Sequence, residues 1–276
     1  MKRPSERKVL ALAAIEQFKV THRRACRIFG LNRFTWWYKP KPDRNIELRS
    51  RMRELAAQYP VYGQPMLHYL ILREWQSPIN HKRTERIYRE EGLALRLRKK
   101  GRRKLRHLRT ALPAAGKRDE VWSMDFIFDW LGTNRQLKTL TVVDHCTREV
   151  PDLFCDHSVR GIHVVNVLEQ LRLKGRKPKT IVVDNGSEFR SRALQKWASR
   201  NGVRLHFIEP GKPTQNAFIE SFNGKFRAEC LDRNLFENLD VARLFISAWK
   251  REYETVRPHS SLNGLTPSEF AEKQSA

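Results

Sequence analysis

One acidic side chain stands apart in the segment TQNAFIESFNGKFR, residues 214–227. Glu220 lies among apolar and small residues, and Arg227 follows it seven positions later. If the segment is helical from Phe218 onward, both side chains project from one face, about 10 Å apart along the axis. Glu220 could then hold a metal ion while Arg227 reaches a neighbouring phosphate; the alternative for Arg227 is an exposed arginine or an ion pair with a nearby acid.

Two aspartates are candidate partners for Glu220. Asp125 lies within the β-rich run VWSMDFIFDWL, and Asp184 ends the short apolar run TIVVD. If these runs are neighbouring strands of one sheet, the two acids meet at the end where the helix of Glu220 packs. Three converging carboxylates repel one another without a cation, but they can hold two Mg²⁺ ions about 3.5 to 4 Å apart for an in-line phosphoryl displacement. We therefore predict that Asp125, Asp184 and Glu220 are the catalytic and metal-binding residues.

Nearby acids have structural interpretations instead. Asp144 ends a run of its own, TLTVVD, and we interpret it as a turn or cap residue. Glu188 follows Asp184 closely, and we interpret it as a residue at the entry of the next helix.

The elements that would position the acids occupy residues 119–276. Three β-rich runs separated by short turns predict an antiparallel meander. Helices and short strands then alternate, with helices expected over 160–173, 191–200, 218–231 and 240–253 and strands at TIVVD and VRLHFI. This is the order of a ribonuclease H-like α/β fold, with a mixed five-stranded sheet and helices.

The charge of the chain is concentrated in its first part. Residues 1–118 contain 31 Lys and Arg against 9 Asp and Glu, whereas residues 119–276 contain 23 against 21. Such a basic region needs a polyanion, and nucleic acid is the usual one. No apolar run approaches the roughly 20 residues of a membrane span, and the four cysteines lack zinc-site spacing. We expect a cytoplasmic, nucleoid-associated protein with reduced thiols.

Two small helical units precede the α/β region. Residues 1–40 predict a helix-turn-helix-like DNA-binding region in which Gly30 suits the turn and Asn32 caps the next helix. A generic three-helix bundle with a basic surface is the alternative. Residues 45–95 predict a second small helical domain, also helix-turn-helix-like. The arginines expected to contact DNA cluster around the first turn: Arg23, Arg24, Arg27 and Arg33.

The segment 96–118 reads as a basic linker. Between residues 96 and 109 it has nine Lys and Arg among fourteen residues, without apolar periodicity. Like charges at this density repel until phosphates neutralise them, so we expect DNA contacts from this segment, including Arg102, Arg103 and Lys104. The loop before the helix of Glu220 could also touch DNA, or be a plain solvated loop; its candidates are Lys212, Gln215 and Asn216.

A family resemblance covers most of the chain. The stretches WSMDFIFDW, VDNGSEF and GKPTQNAFIESFNGKFR resemble the DDE catalytic core of retroviral integrases and bacterial transposases. The nearer match is the second open-reading-frame product (OrfB) of insertion-sequence family three, to which PVYGQPMLHYLI and the closing RPHSSLNGLTPSEFA are also similar. Retroviral members carry an amino-terminal His-His-Cys-Cys zinc domain that this chain lacks, and PVYGQPML lacks the arginines usual after its Tyr-Gly.

The resemblance implies a polynucleotidyl transferase that cleaves and joins insertion-sequence DNA. Its cofactor would be Mg²⁺, two ions per site, with Mn²⁺ as a substitute. Its partners would be double-stranded DNA at terminal inverted repeats and target, further copies of the chain, and the upstream frame product or a fusion with it. Lys225 and Arg227, on the helix of Glu220, would contact DNA. The alternatives are an accessory DNA-binding protein with an inactive catalytic domain and a ribonuclease H-like nuclease.

Overall fold

The structure, a computed structural model, describes residues 4–38, 42–95, 115–209 and 216–275. It divides into two compact units, residues 1–50 and residues 51–276. Within the described ranges, no helix combines the length and the apolar character that crossing a bilayer requires.

The first unit is built on three short helices around a small core. The helices are α1 (Pro4–Phe18), α2 (His22–Ile28) and α3 (Arg33–Trp37). Gly30 has φ +59° in the turn between α2 and α3, and Asn32 caps α3 by accepting the amide of Phe34 at 2.9 Å, as the sequence predicts. Trp36 is buried with Ala11, Ala25, Cys26 and Leu31, whereas Trp37 is 73% exposed.

Three further helices follow, and the first of them spans the boundary between the units. They are α4 (Ile46–Gln58), α5 (Gln64–Trp75) and α6 (His81–Glu90). Asn80 caps α6 with a hydrogen bond from the Lys82 amide to its side chain, at 2.9 Å, which confirms the predicted helix start. Met52 and Leu55 of α4 and Leu67 and Ile71 of α5 are almost completely buried.

A five-stranded mixed sheet forms the centre of the second unit, which confirms the predicted fold class. Its spatial order is β3-β2-β1-β4-β5. The first three strands pair antiparallel, and β1, β4 and β5 pair parallel. The strands are β1 (Val121–Trp130), β2 (Gln136–Asp144), β3 (Leu153–Asp156), β4 (Thr180–Val183) and β5 (Arg204–Phe207).

Helices cover both faces of the sheet, and the period-2 alternation of the strands decides which residues meet them. Trp122 and Met124 of β1 belong to the core under two helices, α7 (Gly161–Leu173) and α8 (Arg192–Arg200). Ile127 belongs to the opposite core, under α9 (Ala217–Glu229) and α10 (Leu239–Thr255). Odd-numbered side chains of β1 therefore face α9.

The chain continues past α10, where the sequence predicts its last helix, into α11 (Pro267–Ser275). The helices α5 and α11 are joined by Arg73, whose guanidinium donates to the carbonyls of Val256 (3.2 Å) and Gly264 (2.8 Å) and pairs with Glu269 at 2.6 Å. Polar contacts therefore tie α5 to the segment that follows α10.

Candidate active site

Asp125 lies in the middle of β1 with its carboxylate directed at α9. It is an odd-numbered residue of the strand, and Asn223 Nδ2 of α9 donates to its Oδ2 at 2.8 Å. Its Oδ1 accepts the backbone amide of Phe126, also at 2.8 Å. On the neighbouring strand, Thr141 donates its hydroxyl to the Asp125 carbonyl at 3.1 Å. Hydrogen bonds from α9 and from β1 therefore both hold the Asp125 carboxylate in place.

Asp184 is the first residue after β4, at the carboxyl end of a parallel strand. The β1–β4 ladder pairs Ser123 with Val182, and continuing this register by two residues sets Asp184 beside Asp125. The amide of Gly186 donates to Asp184 Oδ1 at 2.9 Å. Asn185 ties the same turn to the end of β5, because its side chain donates to the Ile208 carbonyl at 2.8 Å.

Glu220 lies in the first turn of α9, one helical turn before Asn223. The two side chains share a face because residues three apart are neighbours on a helix. Asn223 uses its amide group on Asp125, and its buried Oδ1 has no hydrogen-bond partner. The sequence prediction omits Asn223, although its spacing of three from Glu220 was a usable signal.

The three acids interact electrostatically. The pKa of Asp125 is raised to about 6, primarily by burial and further by the negative charges of Asp184 and Glu220. Hydrogen bonds from Phe126 and Asn223 oppose this shift. Partial burial also raises the pKa of Glu220 at the solvent edge. A cation at this place would stabilise all three carboxylates in their charged forms.

The carboxylates of Asp125, Asp184 and Glu220 are chemically suited to bind a divalent metal ion. Their side chains are not in a metal-binding arrangement in this structure. Within the four described ranges, no group of three His, Cys, Asp or Glu side chains is arranged closely enough to hold a metal. Three carboxylates whose charges act on one another, beside the unpartnered Asn223 oxygen, are the hard oxygen ligands that Mg²⁺ prefers. The ligands would have to move together on binding.

The two acids interpreted as structural have structural partners. Asp144 is buried, and its carboxylate accepts the amides of Cys146 and Thr147, both at 2.8 Å, in the turn after β2. Glu188 forms an ion pair with Lys138 of β2, while the residue that caps α8 is Ser191. Glu188 therefore links the loop after Asp184 to β2 and does not itself begin the helix.

The residues predicted to contact DNA have different surroundings. Arg227 Nη2 donates to the Phe128 carbonyl at 2.6 Å, and Nη1 lies 3.5 Å from Asp232. Asn216 is only 4% exposed, rather than open on a loop. Lys225 is half-buried on another face of α9. Four of the predicted DNA contacts have exposed side chains: Arg23, Arg24, Arg27 and Arg33. Five others lie outside the described residues: Lys212, Gln215, Arg102, Arg103 and Lys104.

Three models of known protein families match parts of the chain. Two family models described as "Integrase core domain" match residues 115–213 and 201–267. A third, described as "HTH-like domain", matches residues 43–101. Together they cover the sheet, α9 and the helical segment α4 to α6.

Relatives and a solved structure agree with these matches. The chain is 48% identical over 263 residues to the insertion element IS407 uncharacterized 31.7 kDa protein of Burkholderia multivorans, covering 95% of this chain and 94% of that protein. It is 24% identical to the transposase InsF for insertion sequence IS3A of Escherichia coli, covering 91% and 94%. In fold it resembles a chain of the simian T-cell lymphotropic virus intasome, with TM-score 0.53, 16% identity and coverage of 80% and 74%. The chain therefore belongs to the transposases of insertion-sequence family three, which carry an integrase core domain.

Proposed function

We propose that this transposase cuts the 3′ ends of its insertion sequence with water and then uses each freed 3′-hydroxyl to attack another phosphodiester. The family makes the chain a polynucleotidyl transferase. Cleavage and strand transfer would occur at Asp125, Asp184 and Glu220, with Mg²⁺ as the cofactor, two ions in each site, and Mn²⁺ as a substitute.

One observation carries this proposal. The three acids come from β1, the end of β4 and the first turn of α9, and the charges of Asp184 and Glu220 act on Asp125 strongly enough to raise its pKa. Glu188, by contrast, is matched by the cation of Lys138, whereas no ion pair found in the described ranges includes Asp125, Asp184 or Glu220. An acid cluster without its own cation is typical of a site that recruits one.

The residues of the chain would position the reacting groups. A divalent ion held by these carboxylates would stabilise charge on the phosphate and increase the acidity of the attacking water or hydroxyl. Asn223 orients Asp125, and Gly186 orients Asp184. The covalent chemistry then depends on alignment of the attacking oxygen with the phosphate.

DNA would be held mainly by the basic part of the chain. We assign this to the helical regions 1–40 and 45–95 and the linker 96–118, because residues 1–118 carry nearly all of the excess positive charge. Arg227 would leave Asp232 for a phosphate when DNA binds, since that pair is long and its arginine is 40% exposed. Two transposon ends require more than one active site, so the active form would be a homo-oligomer on DNA, made from this chain or from its fusion with the upstream frame product.

The test replaces each of the three acids by the amide of the same size, which removes the negative charge. Asp125→Asn, Asp184→Asn and Glu220→Gln should each lower cleavage of labelled end DNA in Mg²⁺ by at least about a hundredfold, because each loses a charged metal ligand. DNA affinity should remain nearly unchanged. Combining two substitutions should add little, because the acids act as one metal-binding unit.

Asp129→Asn is the matched control, since Asp129 faces the same side of β1 and its carboxylate contacts only the amide of Trp130 among the hydrogen bonds found. It should keep cleavage near the wild-type level. Near wild-type cleavage by any one triad variant would remove that acid from the site. Cleavage without joining, in the wild type, would instead support the plain nuclease.

A further inference from the structure

A cavity of about 430 Å³ lies on the side of α9 that faces away from the acids. Phe218, Ser221 and Lys225 contribute to its wall, and their spacing of three and four defines one face of the helix. Glu220, Asn223 and Arg227 lie on the other face by the same geometry. The remaining polar lining comes from Arg148, Ser260 and Ser261.

Neither of the two cations in this cavity has an ion-pair partner among the described residues, although Asp144 attracts Arg148 and Glu229 attracts Lys225 from a greater distance. Arg148 stacks on the Phe218 ring, with 4.0 Å between the guanidinium carbon and the ring centroid, and its buried Nη1 has no hydrogen-bond partner. No carboxylate in the described ranges forms an ion pair with Arg148 or Lys225. Burial lowers the pKa of both side chains, that of Lys225 to about 8.

Elsewhere in the same unit, buried cations are matched. Arg257 and Glu229 are each 8% exposed and form a bidentate pair, and Arg176 pairs with Asp119 at 2.7 Å. Shielding a cation without a partner is unfavourable. The cavity between Arg148 and Lys225 therefore lacks the anion that the fold supplies in comparable places.

The backbone holds Arg148 in this position against its own preference. Arg148 has φ +62°, in the left-handed region that non-glycine residues seldom occupy. Its amide donates to the Asp144 carbonyl at 3.1 Å, which closes the turn after β2. A strained residue that directs an unpartnered guanidinium into a cavity is typical of a binding site.

We propose that this cavity binds a phosphate group of the DNA backbone, on the far side of α9 from the catalytic acids. Arg148 would supply a fork of N–H donors, Lys225 a point charge, and Ser260 and Ser261 hydroxyl donors. The assignment of the phosphate to DNA rests on the proposed function. The presence of a cationic cavity is independent of that function. The bound phosphate would replace the missing partner of both side chains.

The test measures binding of end DNA without metal, so that it does not depend on cleavage. Arg148→Gln and Lys225→Gln should each weaken binding about tenfold in fluorescence anisotropy and reduce the slope of log K against log salt by about one. Lys196→Gln and Arg200→Gln are matched controls, because both residues are exposed on α8, on the other face of the sheet. They should change affinity less than twofold.

A third variant separates binding from folding. Ser261→Asp places a carboxylate at the exposed rim of the cavity, where it can pair with the two cations. It should weaken DNA binding at least tenfold while the melting temperature stays the same or rises. A substitution that merely damaged the fold would lower both quantities.

Two results would overturn the proposal. Unchanged DNA affinity and salt slope in the Arg148 and Lys225 variants would show that the cations are only structural. Stabilisation of the wild type by inorganic phosphate, lost in these variants without any change in DNA affinity, would assign the cavity to a free anion. If the wild type binds end DNA but never cuts it, the proposed chemistry fails and the binding comparison still stands.

Discussion

At the scale of single residues, the position of Asp184 depends on the absence of a side chain two residues later. A Cβ built on Gly186 would lie 2.9 Å from Asp184 Oδ1, closer than real Cβ contacts come. The same oxygen accepts the Gly186 amide. An alanine at this position must therefore displace the carboxylate or distort the turn.

We expect Gly186→Ala to lower cleavage about ten- to a hundredfold with a change in the free energy of unfolding of no more than about 1 kcal/mol, because a displacement of less than 1 Å at a catalytic group is costly. Single-turnover cleavage and urea unfolding measure the two effects. Gly224→Ala is the control: no atom lies within 4 Å of its added Cβ on α9, and alanine is the better helix former. Equal activities of the two variants would refute the role of Gly186.

Single residues also show where the sequence is informative. Asp125, Asp184 and Glu220 can be proposed from the sequence because each has a distinctive context. Asp125 lies inside a β-rich run, Asp184 ends an apolar run, and Glu220 is near the start of a helix. Arg148 is not identifiable in this way, since its role depends on a turn conformation and on the ring of Phe218, which is remote in sequence. Contacts between distant side chains have no signature in one sequence.

At the scale of elements, the carboxyl end of α9 is fixed to the segment after α10 by a buried ion pair. Arg257 Nε and Nη2 donate to the Glu229 carboxylate at 2.6 to 3.0 Å. Glu229 is the last residue of α9, and Arg257 follows the end of α10. The pair therefore restrains the helix that carries Glu220.

Arg257→Met should lower the free energy of unfolding by about 3 to 5 kcal/mol, because it leaves the Glu229 carboxylate buried without its partner. The double variant Arg257→Met with Glu229→Met should recover much of that loss. Arg243→Met provides the comparison, because its ion pairs with Asp156 and Asp240 are long and both partners are exposed. We expect this variant to change the free energy of unfolding by less than about 1 kcal/mol. Chemical denaturation of the wild type, Arg257→Met, Glu229→Met and the double variant gives the double-mutant cycle. A double variant no more stable than Arg257→Met alone would contradict this assignment.

The elements themselves were largely predictable from the sequence. The alternation of β1 and β2, the apolar run of β4 and the Ser191 cap of α8 are local signals, and the helices and strands found there agree with them within a few residues. The helix α11 was missed because its weakly amphipathic sequence, PSEFAEKQS, follows a long stretch without periodicity. Its packing depends instead on Arg73 of α5 reaching Glu269.

At the scale of the whole molecule, we propose that the amino-terminal part of the chain supplies most of the affinity for DNA and that the part with the sheet supplies the chemistry. Residues 1–50 form a compact unit with 13 Lys and Arg against 4 Asp and Glu. Each phosphate that such a unit neutralises increases the salt dependence of its DNA affinity. The second unit contains the sheet and the three acids.

Deleting residues 1–41, which keeps α4 whole, should leave the melting transition of the second unit within about 2 °C of its original value and should lower the salt slope of DNA binding by several units. Calorimetry and anisotropy at a series of salt concentrations provide the two measurements. A full-length variant with Arg23, Arg24, Arg27 and Arg33 all changed to Gln controls for the loss of chain length, and it should reproduce much of the change in slope. An unchanged slope in both proteins would assign DNA affinity to residues 42–276.

Under the proposed function, the register of β1 decides whether a molecule is active. A slip of one residue against β2 or β4 would turn Asp125 to the opposite face of the sheet, away from Asn223 and Glu220. The first compact unit would still present its exposed arginines. Under the proposed function, such a misfolded copy would still bind the same DNA ends without cutting them. A small misfolded fraction would then inhibit an assembly more strongly the more copies the assembly needs.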